Sequence, residues 1–92
     1  MDKYDRIRKH IVFHGSVQGV GFRYRMYYAA RSNGVSGWVR NLYDGSVEAE
    51  LEGTESAIDM TVMQVEKGTF VSIDNMEVRS LPIHNDHDFE IK

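Results

Sequence analysis

Apolar and polar residues alternate along the first part of the chain and then change to a helical spacing. The alternation predicts a strand over residues 7–14, and the later spacing of three and four predicts a helix over residues 22–33. The apolar face of the strand is Ile7, Ile11 and Phe13, and that of the helix is Phe22, Met26, Ala29 and Ala30. Gly34 is a suitable stop, because glycine takes the left-handed conformation that often follows a helix.

The next segment predicts a hairpin. Residues 35–43 are rich in β-forming side chains, Asp44-Gly45 is a turn signal, and residues 46–52 alternate again. The polar side of this third strand consists of Ser46, Glu48, Glu50 and Glu52. Because charged side chains are mostly exposed, the row predicts a solvated face and not a metal or general-base cluster.

A second helix and two more strands complete the pattern. Thr54 is a candidate N-cap, and apolar residues at positions 58, 62 and 65 predict a helix that ends at Gly68. Residues 76–83 predict a fourth strand, in which Pro82 suits an edge position. Residues 89–91 predict a short last strand.

The order of elements is therefore β-α-β-β-α-β plus a short strand. Two split βαβ units predict an α+β, ferredoxin-like βαββαβ sandwich, with two helices on one face of an antiparallel sheet. The length of 92 residues fits one domain. We expect residues 1–6 to be a disordered or frayed tail and residues 7–92 to form that domain.

The amino-acid composition and charge exclude several kinds of functional site and partner. The chain has no cysteine, which excludes a disulfide framework, a thiolate nucleophile and a cysteine-based zinc site. No signal-peptide pattern or membrane-length apolar segment is visible, so we expect a cytoplasmic protein without a membrane partner. Residues 1–42 carry a formal charge of +6 and residues 43–92 carry −9. The acidic half argues against a nucleic-acid partner.

A glycine-rich loop joins the first strand to the first helix: Gly15-Ser16-Val17-Gln18-Gly19-Val20-Gly21-Phe22-Arg23. The first amides of a helix lack intrahelical partners and carry partial positive charge, so this arrangement suits an anion, phosphate above all. Arg23 adds a cation where the helix dipole disfavours one, and a bound phosphate removes that conflict. The residues alone leave open a glycine-rich turn followed by an exposed arginine. A Walker A loop and the dinucleotide fingerprint are both excluded by missing residues.

Two stretches of the sequence resemble the signatures of the acylphosphatase family. Gly15 to Arg23 is similar to the signature loop of that family, and Gly37 to Asn41 is similar to its second signature, at a matching separation. The resemblance extends from about Ile7 to the C-terminus, through Asp44–Glu48, Glu52-Gly53 and Phe89-Glu90-Ile91. Thr69 is a departure, since the family often has proline after the second helix.

This resemblance implies hydrolysis of the carboxyl–phosphate bond of a small-molecule acyl phosphate, with no metal and no cofactor. It implies that Arg23 binds phosphate and that Asn41 orients water, which makes these two the catalytic residues. The implied phosphate-binding set is Ser16, Val17, Gln18, Gly19, Val20, Gly21 and Arg23. We expect the protein to be a monomer.

The same residues allow other interpretations of the function, some of which the sequence disfavours. A non-catalytic phosphate or acyl-phosphate binding domain stays open, because such domains also occur inside larger carbamoyl-transfer proteins. Without the family resemblance, Asn41 is explained equally well as a residue that helps the turn form. The histidines and carboxylates of residues 84–88 lack a spaced ligand set for a metal ion. An RNA-binding module of similar topology is disfavoured by charge and by the missing aromatic pattern.

Overall fold

The computed structural model describes residues 5–92, and residues 1–4 of the expected tail lie outside the described part. In chain order the elements are β1 (Arg6–Ser16), α1 (Phe22–Ser32), β2 (Ser36–Asn41), β3 (Val47–Thr54), α2 (Glu55–Glu66), β4 (Ser72–Leu81) and β5 (Phe89–Ile91). The predicted order of strands and helices is confirmed. The boundaries differ most at β4, which begins at Ser72 where the alternation predicted residue 76.

The ends of the two helices follow the predicted caps. Gly34 has φ 71° directly after the last turn of α1, so it takes the left-handed conformation that ends a helix. At the start of α2, the Thr54 hydroxyl accepts a hydrogen bond from the Ala57 amide at 3.2 Å, which is an N-cap contact. Within residues 5–92, neither helix has the length and apolar character that a membrane crossing requires.

The five strands form one sheet in the order β4-β1-β3-β2-β5. β1 lies inside the sheet and pairs antiparallel with both β3 and β4, while β2 pairs antiparallel with β3. This is the ferredoxin-like arrangement that the element order predicts. The short β5 extends the sheet by pairing parallel with β2, so the sheet is mixed. β4 lies at the edge, as Pro82 after its last residue suggested.

The hydrophobic core lies between the sheet and the two helices. Its fully buried members include Phe13 of β1, Leu51 of β3, Met26 of α1 and Val65 of α2. The rings of Phe13 and Phe22 meet edge to face with centroids 5.0 Å apart, which fixes the start of α1 against β1. The segment between β1 and α1 therefore begins and ends on the core.

The prediction of a solvated glutamate row on β3 is wrong. Glu52 is fully buried, and the side chains of Glu48 and Glu50 are only 16% and 17% exposed. Glu52 is buried because Arg8 of β1, itself 1% exposed, donates to Glu52 at 3.0 Å and to Glu50 and Asp86 at 2.8 Å each. The segment after β4 covers this outer face and supplies Asp86. A local alternation pattern cannot reveal a partner so distant along the chain.

Ion pairing and burial shift the pKa values of these carboxylates in opposite directions. Burial acts to raise the pKa of Glu52, but hydrogen bonds from the His84 amide and the Arg8 guanidinium outweigh it and lower the pKa below the usual 4.5. At Glu48, burial again acts to raise the pKa, but hydrogen bonds with His10 and Arg40 outweigh it, so the pKa is lowered. The ionised carboxylates therefore stabilise the folded state.

We predict that Glu52→Gln lowers the free energy of unfolding by about 1–3 kcal/mol near neutral pH, because the buried Arg8 guanidinium then faces a neutral amide in place of a carboxylate. The lowered pKa of Glu52 contributes stability above the unfolded value of about 4.5, and this is lost as pH falls through the folded value. Urea unfolding from about pH 7 to about pH 3 should thus show the two proteins converge in acid. Glu55→Gln is the control, since that side chain is 63% exposed. A difference that persists unchanged in acid would contradict the assignment.

Candidate active site

β4 has a bulge opposite the end of β1, where the glycine loop begins. The register of β1 against β4 shifts between His14 and Gly15, and Gly15 has φ 133°. A Cβ atom at Gly15 would lie 2.2 Å from the Ser72 carbonyl oxygen, so only glycine fits this position. The bulge brings the edge strand β4 against the backbone that leads into the loop.

Two valines hold the loop on the core. Val17 is buried at 1% exposure, and Val20 is partly buried against the same cluster. Gly19 and Gly21 alternate with them and have φ 74° and 78°, a left-handed conformation that a residue with a Cβ adopts at a cost. The loop therefore turns its side chains inward while its backbone remains at the surface.

The amides at the end of this loop have no acceptor among residues 5–92. Gly21 is the N-cap of α1 and provides no side-chain cap, and the first intrahelical hydrogen bond runs from the Arg25 amide to the Gly21 carbonyl at 3.0 Å. Within the described residues, no amide from Gln18 to Tyr24 donates a hydrogen bond to the backbone or to a side chain. Successive free amides around left-handed residues form an anion-binding concavity.

Arg23 lies in the first turn of α1, where no acidic residue accompanies it. Its side chain is half-buried, and within residues 5–92 it forms no ion pair or hydrogen bond. In contrast, Arg8, Arg31 and Arg40 each donate to a carboxylate, at 2.8, 2.8 and 2.6 Å. Arg23 is therefore a cation that is not neutralised, beside amides that also lack an acceptor.

Asn41 is the last residue of β2 and is exposed. It lies on the same side of the sheet as Val39, and Arg40 lies on the other side, where it donates to Glu48. The turn that follows is stabilised by Asp44, whose carboxylate accepts from the Ser46 amide at 3.0 Å and from the Ser46 hydroxyl at 2.6 Å. These hydrogen bonds lower the pKa of Asp44. Asp44 therefore contributes to this turn, whereas the side chain of Asn41 forms no hydrogen bond in it within residues 5–92.

One side chain joins the glycine loop to this hairpin. Gln18 Nε2 donates to the Leu42 carbonyl at 2.6 Å and to the Ser46 carbonyl at 2.8 Å. Leu42 directly follows Asn41, so the contact brings the end of β2 beside the free amides of the loop. Sequence reasoning assigned only the backbone amide of Gln18 and missed this role of its side chain. The glutamine gives no periodic signal that it would reach a carbonyl 24 residues away.

A cavity at the other end of β1 is less suited to an anion. It has a volume of about 620 Å³, and its lining includes Arg6, Arg31 and Asp88. Arg31 donates to Asp88 at 2.8 Å, and Arg6 lies 3.7 Å from Glu52, so both cations already face carboxylates. No group of three or more histidine and carboxylate side chains in the described part of the chain is arranged to hold a metal ion. The glycine loop differs from this cavity, because its last amides and Arg23 have no acceptor among residues 5–92.

Comparison with known proteins finds matches over most of the chain. The chain matches the model of the family described as acylphosphatase over residues 9–91. A curated acylphosphatase of Bifidobacterium longum is 47% identical over 78 residues, which cover 84% of this chain and 80% of that protein. The crystal structure of acylphosphatase from Bacillus subtilis superposes with a TM-score of 0.86 at 35% identity, covering 94% of this chain and 98% of that one.

A longer protein contains a similar domain. The structure of full-length HypF in its phosphate- and nucleotide-bound form matches with a TM-score of 0.83 at 26% identity, covering 97% of this chain but only 12% of the other. The fold therefore occurs both alone and as a small part of a large protein. The family match, the curated relative and the shared fold each extend over most of the sequence, and this chain belongs to the acylphosphatase family.

Proposed function

We propose that this acylphosphatase cleaves the carboxyl–phosphate bond of its substrate without a metal ion, with water as the nucleophile. The observation that carries the proposal is that, among residues 5–92, the amides between Gln18 and Tyr24 and the guanidinium of Arg23 have no partner. The products are a carboxylate and inorganic phosphate. The substrate is a small-molecule acyl phosphate.

The loop amides and Arg23 bind the phosphoryl group. The three non-bridging phosphoryl oxygens need several donors at once, and the loop offers consecutive amides at the positive end of α1. The planar guanidinium fork of Arg23 matches two phosphate oxygens. Because Arg23 faces no carboxylate within the described residues, its charge acts on the ligand without first breaking an ion pair. Ser16 to Gly21 and Arg23 form the proposed phosphate-binding set.

Asn41 orients the attacking water. Its carboxamide both accepts and donates hydrogen bonds, but it is not a base strong enough to take a proton. The proton released by the water passes to a phosphate oxygen of the substrate. An acyl phosphate has a good leaving group, so positioning and charge stabilisation supply most of the required acceleration. A protein nucleophile is therefore unnecessary.

A non-catalytic phosphate-binding domain is the alternative function. Free amides and Arg23 suit binding and hydrolysis equally well, so they do not separate the two. The position of Asn41 beside the loop favours the enzyme. An exposed carboxamide at this place orients a water molecule, whereas for phosphate binding it would only repeat the hydrogen bonds that the loop amides already offer. The two following experiments distinguish these functions.

We predict that benzoyl phosphate is hydrolysed at the same rate with and without EDTA, because the charges that stabilise the transition state come from Arg23 and the loop amides. Loss of the anhydride is followed spectroscopically in metal-free buffer. Loss of activity in EDTA, with recovery on adding a divalent ion, would contradict the metal-free mechanism. Full absence of turnover in every buffer would favour the binding domain.

We further predict that Arg23→Ala and Asn41→Ala separate binding from chemistry. Inorganic phosphate should raise the Tm of the native protein by mass action, since it binds only the folded state. Arg23→Ala should lose both turnover and this rise in Tm. Asn41→Ala should lose about 10²-fold or more in kcat, the scale of removing one positioned polar group, and should keep the rise in Tm.

Arg25→Ala and Asn75→Ala are the matched controls, since both residues are exposed and Asn75 lies in β4, outside the loop and the hairpin. Both should retain wild-type kcat and the response to phosphate. Near wild-type kcat in Asn41→Ala would reject its role in orienting water. A phosphate-dependent rise in Tm that survives Arg23→Ala would reject the loop as the anion site.

A further inference from the structure

The link between Gln18 and the hairpin spans the two halves of the proposed site. On one side, the backbone of Gln18 belongs to the loop that carries the free amides, between the buried Val17 and the left-handed Gly19. On the other side, its Nε2 donates to Leu42 at 2.6 Å and to Ser46 at 2.8 Å, the carbonyls on either side of the turn. The two hydrogen bonds use both protons of the side-chain amide. No other described side-chain hydrogen bond joins the loop to the hairpin.

The two accepting carbonyls also close the hairpin itself. The Leu42 amide donates to the Ser46 carbonyl at 2.9 Å, and the Gly45 amide donates to the Leu42 carbonyl at 3.2 Å. Gln18 therefore contacts these oxygens at the place where the turn is closed. If the side chain is removed, each carbonyl keeps one hydrogen bond, so the hairpin is loosened without leaving a polar atom unpaired.

We infer that Gln18 is a positioning residue, whose side-chain amide sets the distance between the phosphate-binding loop and Asn41. This inference rests on the proposed function and adds a further contributor to it. The loop is held on the core by Val17 and Val20, whereas Asn41 lies at the exposed end of β2. A water oriented by Asn41 must approach the phosphorus in line with the leaving group, and such alignment is sensitive to shifts of about 1 Å. Gln18 controls that alignment and not the affinity for phosphate.

The residue type agrees with this role. A primary amide of this length offers two protons to two carbonyl oxygens from one nitrogen, and it does so without placing a charge beside the phosphate site. A glutamate at position 18 would place a carboxylate against the same carbonyls and beside the phosphate, and a shorter side chain would not span the gap. The side chain of Gln18 is thus constrained separately from its backbone amide, which every substitution except proline retains.

Gln18→Met tests the inference, because methionine keeps the length and the backbone amide but removes both donors. We expect kcat on benzoyl phosphate to fall by about 10- to 100-fold, with KM and the phosphate-dependent rise in Tm changed by less than about twofold. Gln64→Met is the matched control. It also removes a glutamine that bridges two elements, since Gln64 accepts from Asn33 at 3.1 Å, but it lies on α2. Its kcat should equal that of the wild type.

A double-mutant cycle separates positioning from general damage. If Gln18 acts through Asn41, adding Gln18→Met to Asn41→Ala should cause less than about a twofold further loss of kcat. Losses that multiply would overturn the inference while leaving the proposed function intact. A fall in the phosphate response equal to the fall in kcat would also overturn it, since Gln18 would then belong to the binding site alone.

Hydrogen exchange gives a readout that does not depend on turnover. The Leu42 and Gly45 amides, which close the hairpin, should exchange about 5- to 10-fold faster in Gln18→Met than in the wild type, and at the wild-type rate in Gln64→Met. Unchanged exchange at both amides would overturn the link even if kcat falls. Absence of turnover in the wild type would reject the proposed function, whereas this exchange experiment would still decide whether Gln18 fixes the hairpin to the loop.

Discussion

The unpaired backbone amides at the start of α1 are the constraint on which the site depends. A helix must begin with amides that have no intrahelical acceptor, and here no side chain caps them. Left-handed glycines at 19 and 21 leave those amides at the surface, and Arg23 adds a full positive charge next to them. Such a concentration of donors is unfavourable when it is empty and favourable with an anion present. The loop keeps this locally unfavourable arrangement because contacts with the rest of the domain hold it in place.

The scaffold supplies this support on both faces of β1. On the helix side, Phe13 and Phe22 fix the two ends of the β1–α1 connection to the core. On the outer side, Arg8 connects β1 to two glutamates of β3 and to Asp86 of the segment after β4. Since truncating one partner of a buried ion pair leaves an uncompensated charge, this network resists rearrangement of the strands. β1 therefore delivers the glycine loop from a fixed position.

Much of this arrangement follows from local sequence patterns. The periodicities at 7–14, 22–33 and 46–52 determine the element order, and the element order leads to the ferredoxin-like sheet. The glycines and Arg23 indicate an anion site because their effect is local to one loop and one helix end. Three features depend on contacts between distant residues and were not predicted: the burial of Glu52, the parallel pairing of β5, and the link from Gln18 to the hairpin. Each depends on strand register or on the direction of a side chain, and a short stretch of sequence reveals neither.

The most direct test of the phosphate site is a titration of the ¹⁵N-labelled protein with inorganic phosphate, followed through its backbone amide resonances. We predict that the amides from Gln18 to Tyr24 shift most and saturate with a single Kd, together with the side-chain Nε resonance of Arg23. The cavity near Arg6 and Arg31 provides the internal comparison, because it also contains arginines but they face carboxylates. Shifts concentrated around that cavity, or loop amides that do not respond to phosphate, would contradict the assignment of the glycine loop as the place where the substrate binds.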